Sequence, residues 1–170
     1  MQFMQNSESI YVRCGRESDI NSVFKLIEEQ AIHHQVDIEA ISNTPEQMRK
    51  DAFGSRKYLD FFVAEEAGQI IGAAVFYFTY STWKGKSLYL EDLIITQSHR
   101  GRGVGQLFMQ ALAEEAVEKG AQKMKWQVAE DNHGAIRFYE RSDADLDPNW
   151  INCELSHEQL ADMAEETVLN

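Results

Sequence analysis

The sequence predicts a mixed α/β (α+β) fold with helices flanking a central sheet, and three observations carry that prediction. Residues 61–95 read as consecutive β-rich segments joined by turn signals, which gives an antiparallel middle. Apolar residues at helical spacing come before and after that block. No repeat, linker or low-complexity stretch interrupts the 170 residues, a length that suits one domain over residues 9–170 behind a flexible segment, 1–8.

The elements follow in order. Ile10, Val12 and Cys14 alternate with polar residues, as in a half-buried strand. Ser18 or Asp19 can cap a helix whose Ile20, Val23, Phe24 and Ile27 share one face. Thr44-Pro45-Glu46-Gln47 opens a second helix, with an N-cap, a proline in the first turn and a glutamine three residues on. Phe61–Glu65 and Gln69–Tyr80 form a hairpin about Ala67-Gly68, and a turn at Trp83–Lys86 leads into a strand over Ser87–Ile95. From Gly103 to Lys119 the residues Val104, Leu107, Phe108, Ala111, Leu112 and Val117 make a helical stripe, with Gly120 as its C-terminal cap. Lys123–Val128 reads as a short strand, Ala135–Arg141 as a short helix and Trp150–Leu155 as a last strand. Ser156-His157-Glu158-Gln159 is a capping box that opens a helix carrying Leu160, Met163 and Ala164.

Charge narrows the partners. Acids outnumber Lys and Arg by 28 to 16, a net −12, which argues against nucleic acid or an anionic membrane and favours a cationic partner. Residues 140–170 contribute most of it, with nine acids against Arg141 alone. The segment 97–106 runs the other way, with Arg100, Arg102 and no acid, so an anionic ligand is expected there. Two cysteines make no disulfide framework, the first eight residues lack the basic start of a signal peptide, and no apolar run spans a bilayer. A cytoplasmic protein is the expectation.

Arg100-Gly101-Arg102-Gly103-Val104-Gly105 places three glycines between a strand and a helix, where backbone N–H groups can approach a phosphate closely. It is not the dinucleotide fingerprint, because position 106 is Gln. Gly85-Lys86-Ser87 mimics the end of a Walker A loop, but Tyr80 stands where its first glycine belongs.

Strand, Arg-Gly-x-Gly-x-Gly, amphipathic helix, a strand ending near Asn132 and then Phe138-Tyr139 together resemble the GCN5-related N-acetyltransferase (GNAT) superfamily. Its pyrophosphate motif fits Arg100, Gly103 and Gly105. Tyr77-Phe78-Thr79-Tyr80, Trp83, Gly85-Lys86, Leu88–Leu93, Val128-Ala129-Glu130 and Trp150 are similar to the diamine (spermidine/spermine) acetyltransferases, and the resemblance covers roughly residues 10–165. It implies a mostly antiparallel GNAT-type sheet, a homodimer, and acetyl-CoA as cosubstrate without a metal. Backbone groups of Leu93, Ile94 and Ile95 would pair with the pantetheine arm, and Arg100, Gly101, Arg102, Gly103, Val104, Gly105 and Gln106 would cradle the pyrophosphate. Asn132 would touch the cosubstrate, Tyr139 would act as general acid, and Glu91 would meet the reacting amine. Trp83 and His34 fall at substrate-contact positions.

The residues have plainer readings beside these. Tyr139 is apolar-flanked and could be a core residue, Trp83 could pin a turn, and His33-His34 diverge on a helix with no third metal ligand near. Glu91 and Asp92 are strand neighbours, so they are expected on opposite faces, with Glu91 in the site. Three departures from the subfamily stand out: Ser81-Thr82 in place of Asp-Pro, Asp131 in place of an aromatic, and Asp143 where glycine would make a left-handed turn. The activity implied is acetylation of a primary amine on a small polyamine or diamine. The alternatives are a lysine-like amino acid such as thialysine, a protein lysine, or a CoA-binding regulator without turnover.

Overall fold

The computed structural model describes residues 9–165. The expected flexible segment, 1–8, lies outside them. The chain divides into two compact units, Met1–Gln127 and Val128–Asn170.

The first unit is built on a five-stranded sheet in sequential order: β1 (Tyr11–Cys14), β2 (Asp60–Glu66), β3 (Gln69–Ser81), β4 (Gly85–Ile95) and β5 (Met124–Lys125). The first four strands pair antiparallel and β5 joins β4 parallel. Strand alternation gives each face its own core. Phe61, Val63, Ala73, Val75 and Ile94 pack against Ile20, Val23, Phe24 and Leu26 of α1 (Ile20–His33) and Met48 and Ala52 of α2 (Pro45–Phe53). On the other face Phe62, Ala64, Ala74, Phe76, Leu88 and Leu90 receive Val104, Phe108, Leu112 and Ala116 of α3 (Val104–Glu118).

Local signals decide the helix ends. The Thr44 hydroxyl accepts from the Gln47 amide at 3.1 Å, and Gly120 takes φ 71° just past α3. Asp19 does not cap α1 through its side chain. It is drawn away to Arg13 on β1, 2.6 Å from Nη1. Asp19 is almost fully buried, and the Arg13 hydrogen bond holds its carboxyl below the ordinary range.

The second unit holds α4 (His133–Glu140) and α5 (His157–Glu165). The Ser156 capping box forms: Ser156 Oγ accepts from the Gln159 amide at 3.2 Å and Gln159 Oε1 accepts from the Ser156 amide at 2.8 Å. Asp143 takes φ 55°, the left-handed turn in which glycine was expected. Two strand expectations are corrected. Residues 150–155 are exposed and form no strand: among the described residues no strand pairs with them. The expected strand over 123–128 shrinks to Met124–Lys125, since pairing with β4 ends at Tyr89↔Lys125.

Candidate active site

The glycine loop has the geometry its sequence implies. Gly101 and Gly103 sit at φ 75° and 83°, and Gly103 is the N-cap of α3. A β-carbon at either would have no chain atom within 4 Å, so the space over the loop is open to a ligand. Val104 is buried beneath it and fixes the start of the helix, where the Val104 and Gly105 N–H groups have no intrahelical acceptor and Gln106 donates to the Gly103 carbonyl at 3.0 Å. Open space, left-handed glycines and a helix N-terminus together fit a pyrophosphate.

The loop's cations are less available than the sequence suggests. Both Arg102 Nη atoms reach Glu66 at the end of β2, at 3.2 and 2.6 Å, and His99 Nε2 lies 2.8 Å from the same carboxylate. Arg102 is the main cause that holds the Glu66 carboxyl below its ordinary range, with the His99 hydrogen bond assisting. Arg100 donates from Nε to the Ile95 carbonyl at 3.0 Å and from Nη1 to His33 Nε2 at 3.2 Å. The loop is thus tied to β2, β4 and the end of α1. Glu66 and His33 carried no motif signal, because their partners lie 36 and 67 positions away.

Leu93, Ile94 and Ile95 pair on one side with Ala74, Ala73 and Gly72 of β3. On the other side β5 has already ended, and among the described residues no strand pairs with β4 beyond Tyr89. A strand edge of this kind can hydrogen-bond an extended ligand.

The acidic pair corrects the expectation from strand alternation. Phe76 pairs with Leu90 and Val75 with Asp92, so Glu91 is the extra residue of a β-bulge. The bulge turns both carboxylates toward the α1 face. Asp92 stands opposite Val75, which packs against that helix, and accepts from Gln30 Nε2 of α1 at 3.3 Å. Glu91 accepts from the Tyr77 hydroxyl at 3.0 Å, and Tyr77 stacks on Tyr89 across the strands at 5.3 Å. Glu91 is exposed and Asp92 half-buried. Burial pushes the Asp92 carboxyl up and the Glu91 charge pushes it further, while the Gln30 hydrogen bond and His34 pull it down. Burial and the bond to Glu91 push the Tyr77 phenol up to about 12. Gln30, Tyr77 and Tyr89 gave no sign of this role in the sequence, because the register that aligns them is not local.

His34, exposed at the end of α1, is within electrostatic reach of Asp92. Trp83 lies in the β3–β4 turn, 89% exposed. Six residue steps along β4, about 20 Å at strand rise, separate the end of that turn at Gly85 from Glu91. The structure does not bring Trp83 to the acidic pair. In the second unit, Asn132 Oδ1 caps α4 by accepting from the Ala135 amide at 3.1 Å. Tyr139 is 7% exposed on α4, and burial raises its phenol. Among the described residues no group of His, Cys, Asp or Glu is arranged to hold a metal, and no helix is long and apolar enough to cross a membrane.

Residues 22–143 match the model of the Acetyltransferase (GNAT) family. The chain belongs to this family. It is an acetyltransferase, its cosubstrate is acetyl-CoA as in the rest of the family, and it acts on an amine. It is 29% identical to a thialysine N-epsilon-acetyltransferase of Mus musculus over 92% of this chain and 98% of that protein. It is 30% identical to the spermidine/spermine N(1)-acetyltransferase-like protein 1 of Homo sapiens over 91% of this chain but 24% of that longer protein. A solved integron cassette protein of V. cholerae has the same fold, with a TM-score of 0.75 at 20% identity, covering 92% of this chain and 98% of that one.

Proposed function

We propose that this acetyltransferase modifies a primary amine of a small diamine or polyamine of the spermidine/spermine type. The observation that carries the reading is the bulge at Glu91, which turns two carboxylates to one face. Such an amine has a pKa near 10.4, so making it neutral at pH 7 costs roughly 4 kcal/mol. Paired carboxylates favour the ammonium ion on arrival and can then accept its proton. Residues Arg100–Gln106 hold the pyrophosphate of acetyl-CoA, and the β4 edge at Leu93, Ile94 and Ile95 holds the pantetheine arm. The neutral amine attacks the thioester carbonyl, and the family resemblance assigns the proton for the departing sulfur to Tyr139, whose phenol is protonated at neutral pH and is pushed further up by burial. The resemblance assigns Asn132 to the cosubstrate, and its Oδ1 also caps α4. His34 borders the amine site, and Trp83 has no part in this reading.

A lysine-like acceptor such as thialysine is the second reading. The relative named for thialysine aligns along nearly the whole chain. Measuring CoA release with spermidine, putrescine and thialysine side by side tests both. Turnover of spermidine that weakens as salt rises supports the first; turnover of thialysine with none of spermidine replaces it with the second. We further infer a cytoplasmic homodimer. The free, exposed Cys14 and Cys153 suit a reducing compartment, and the exposed Trp150, Ile151, Leu160 and Met163 suit burial against a second copy. Sedimentation equilibrium at the monomer mass would refute the dimer.

A further inference from the structure

Gln30 presents an unusual amide. Its Nε2 donates to Asp92 Oδ1 at 3.3 Å, while its Oε1 is buried with no hydrogen-bond partner. A buried unpaired carbonyl oxygen costs about 1–3 kcal/mol, so an acceptor kept in that position calls for a donor that arrives in some state of the enzyme. The groups facing Asp92 are Glu91 on its own strand, Gln30 and His34 on α1, and Val75 opposite on β3. An O–H donor appears at this spot when Asp92 itself takes a proton, and an amide that turns over then offers Oε1 to it.

We propose that Gln30 is a positioning residue for Asp92, pairing with the carboxylate through Nε2 and with the carboxylic acid through Oε1, so that Asp92 can hold the proton taken from the substrate ammonium. The proton passes from nitrogen to a carboxylate oxygen, leaving a neutral amine and a neutral acid. The amine nitrogen then forms the amide bond as the carbon–sulfur bond breaks, giving up a second proton that balances the one taken up by the departing thiolate, and the proton on Asp92 returns to solvent after the product leaves. Glu91, exposed and bonded to Tyr77, steers the cation, and its charge raises the affinity of Asp92 for a proton. The inference rests on the proposed amine chemistry, but part of its test does not.

That part is a titration without substrate. In the wild-type protein the Asp92 side-chain carbon signal is followed by NMR with pH, together with the Gln30 side-chain NH2 signals. The expected result is one shared midpoint above the ordinary aspartate value. Gln30→Met, which keeps the length and loses both polar atoms, raises the Asp92 midpoint by roughly half a pH unit or more, because of the two bonds lost the charge-assisted one to the carboxylate is the stronger. Gln30→Glu adds a like charge and raises it further. With whichever amine is accepted, the acid limb of kcat/KM moves upward in Gln30→Met by the same amount, while the KM for acetyl-CoA stays within a few-fold. Independent midpoints, an unmoved Asp92 in Gln30→Met, or an unmoved acid limb each overturn the inference. Failure of every amine to react overturns the substrate reading instead, and the substrate-free titration still judges Gln30.

Discussion

Gly103→Ala tests the cosubstrate loop most directly when set beside Gly68→Ala. Both glycines are left-handed, at φ 83° and 78°, and an added β-carbon meets no chain atom within 4 Å at either. The backbone strain is therefore the same in kind, about 1–2 kcal/mol for alanine in this region. For a chain of this size that lowers Tm by roughly 2–8 °C in each variant. The two sites differ in what the open space is for. Gly68 ends the β2–β3 turn, whereas Gly103 caps α3 at the proposed pyrophosphate site. Acetyl-CoA at a hundred times its Kd should stabilise the wild type and Gly68→Ala by about 2.7 kcal/mol. Gly103→Ala should lose most of that, because its methyl group occupies the space through which the phosphate reaches the backbone N–H groups. Differential scanning fluorimetry with and without acetyl-CoA reads all three. An equal ligand-induced shift in both variants would refute the loop assignment, and a smaller Tm drop in Gly103→Ala alone would refute the strain argument.

Three further outcomes are expected. Tyr139→Phe keeps the buried ring and removes only the proton donor, so kcat should fall about ten-fold or more, with the KM for acetyl-CoA within a few-fold; a variant at full kcat makes the tyrosine structural. Glu66→Gln releases Arg102 and His99 from their shared carboxylate, so the loop loses its tether to β2 and the KM for acetyl-CoA rises several-fold in steady-state kinetics with kcat little changed; an unchanged KM shows that the loop is held without it. Asp19→Asn breaks the ion pair to Arg13, which should cost about 1–3 kcal/mol in urea unfolding at pH 7. Because the folded Asp19 carboxyl sits below its unfolded value, that stability is complete above pH 4–5 and disappears as pH falls through the lowered folded value. A difference between wild type and variant that persists undiminished at pH 2 contradicts this linkage.

The corrections to the sequence reading share one cause. Strand alternation placed Glu91 and Asp92 on opposite faces, and that rule holds only while pairing is regular. The bulge depends on how β4 aligns with β3 across a turn, and no residue near position 91 announces it. The strand expected at 150–155 had suitable residues, but among the described residues it has no pairing strand, and an unpaired strand leaves its backbone groups to water.

What the sequence determined by itself is what short-range chemistry controls. Thr44 and Ser156 cap their helices, Asp143 makes its left-handed turn, and Gly101 and Gly103 shape the glycine loop, each through atoms within four residues. The resemblance those motifs carry was enough to reach the family. Tertiary structure alone decided that Glu66 ties down Arg102, that Gln30 meets Asp92 across 62 positions, and that two carboxylates share one face. Those contacts depend on strand register and helix docking, which the whole core fixes at once. A side chain's partner at that range follows from where the packed layers align, and the residues beside it in the chain do not encode it.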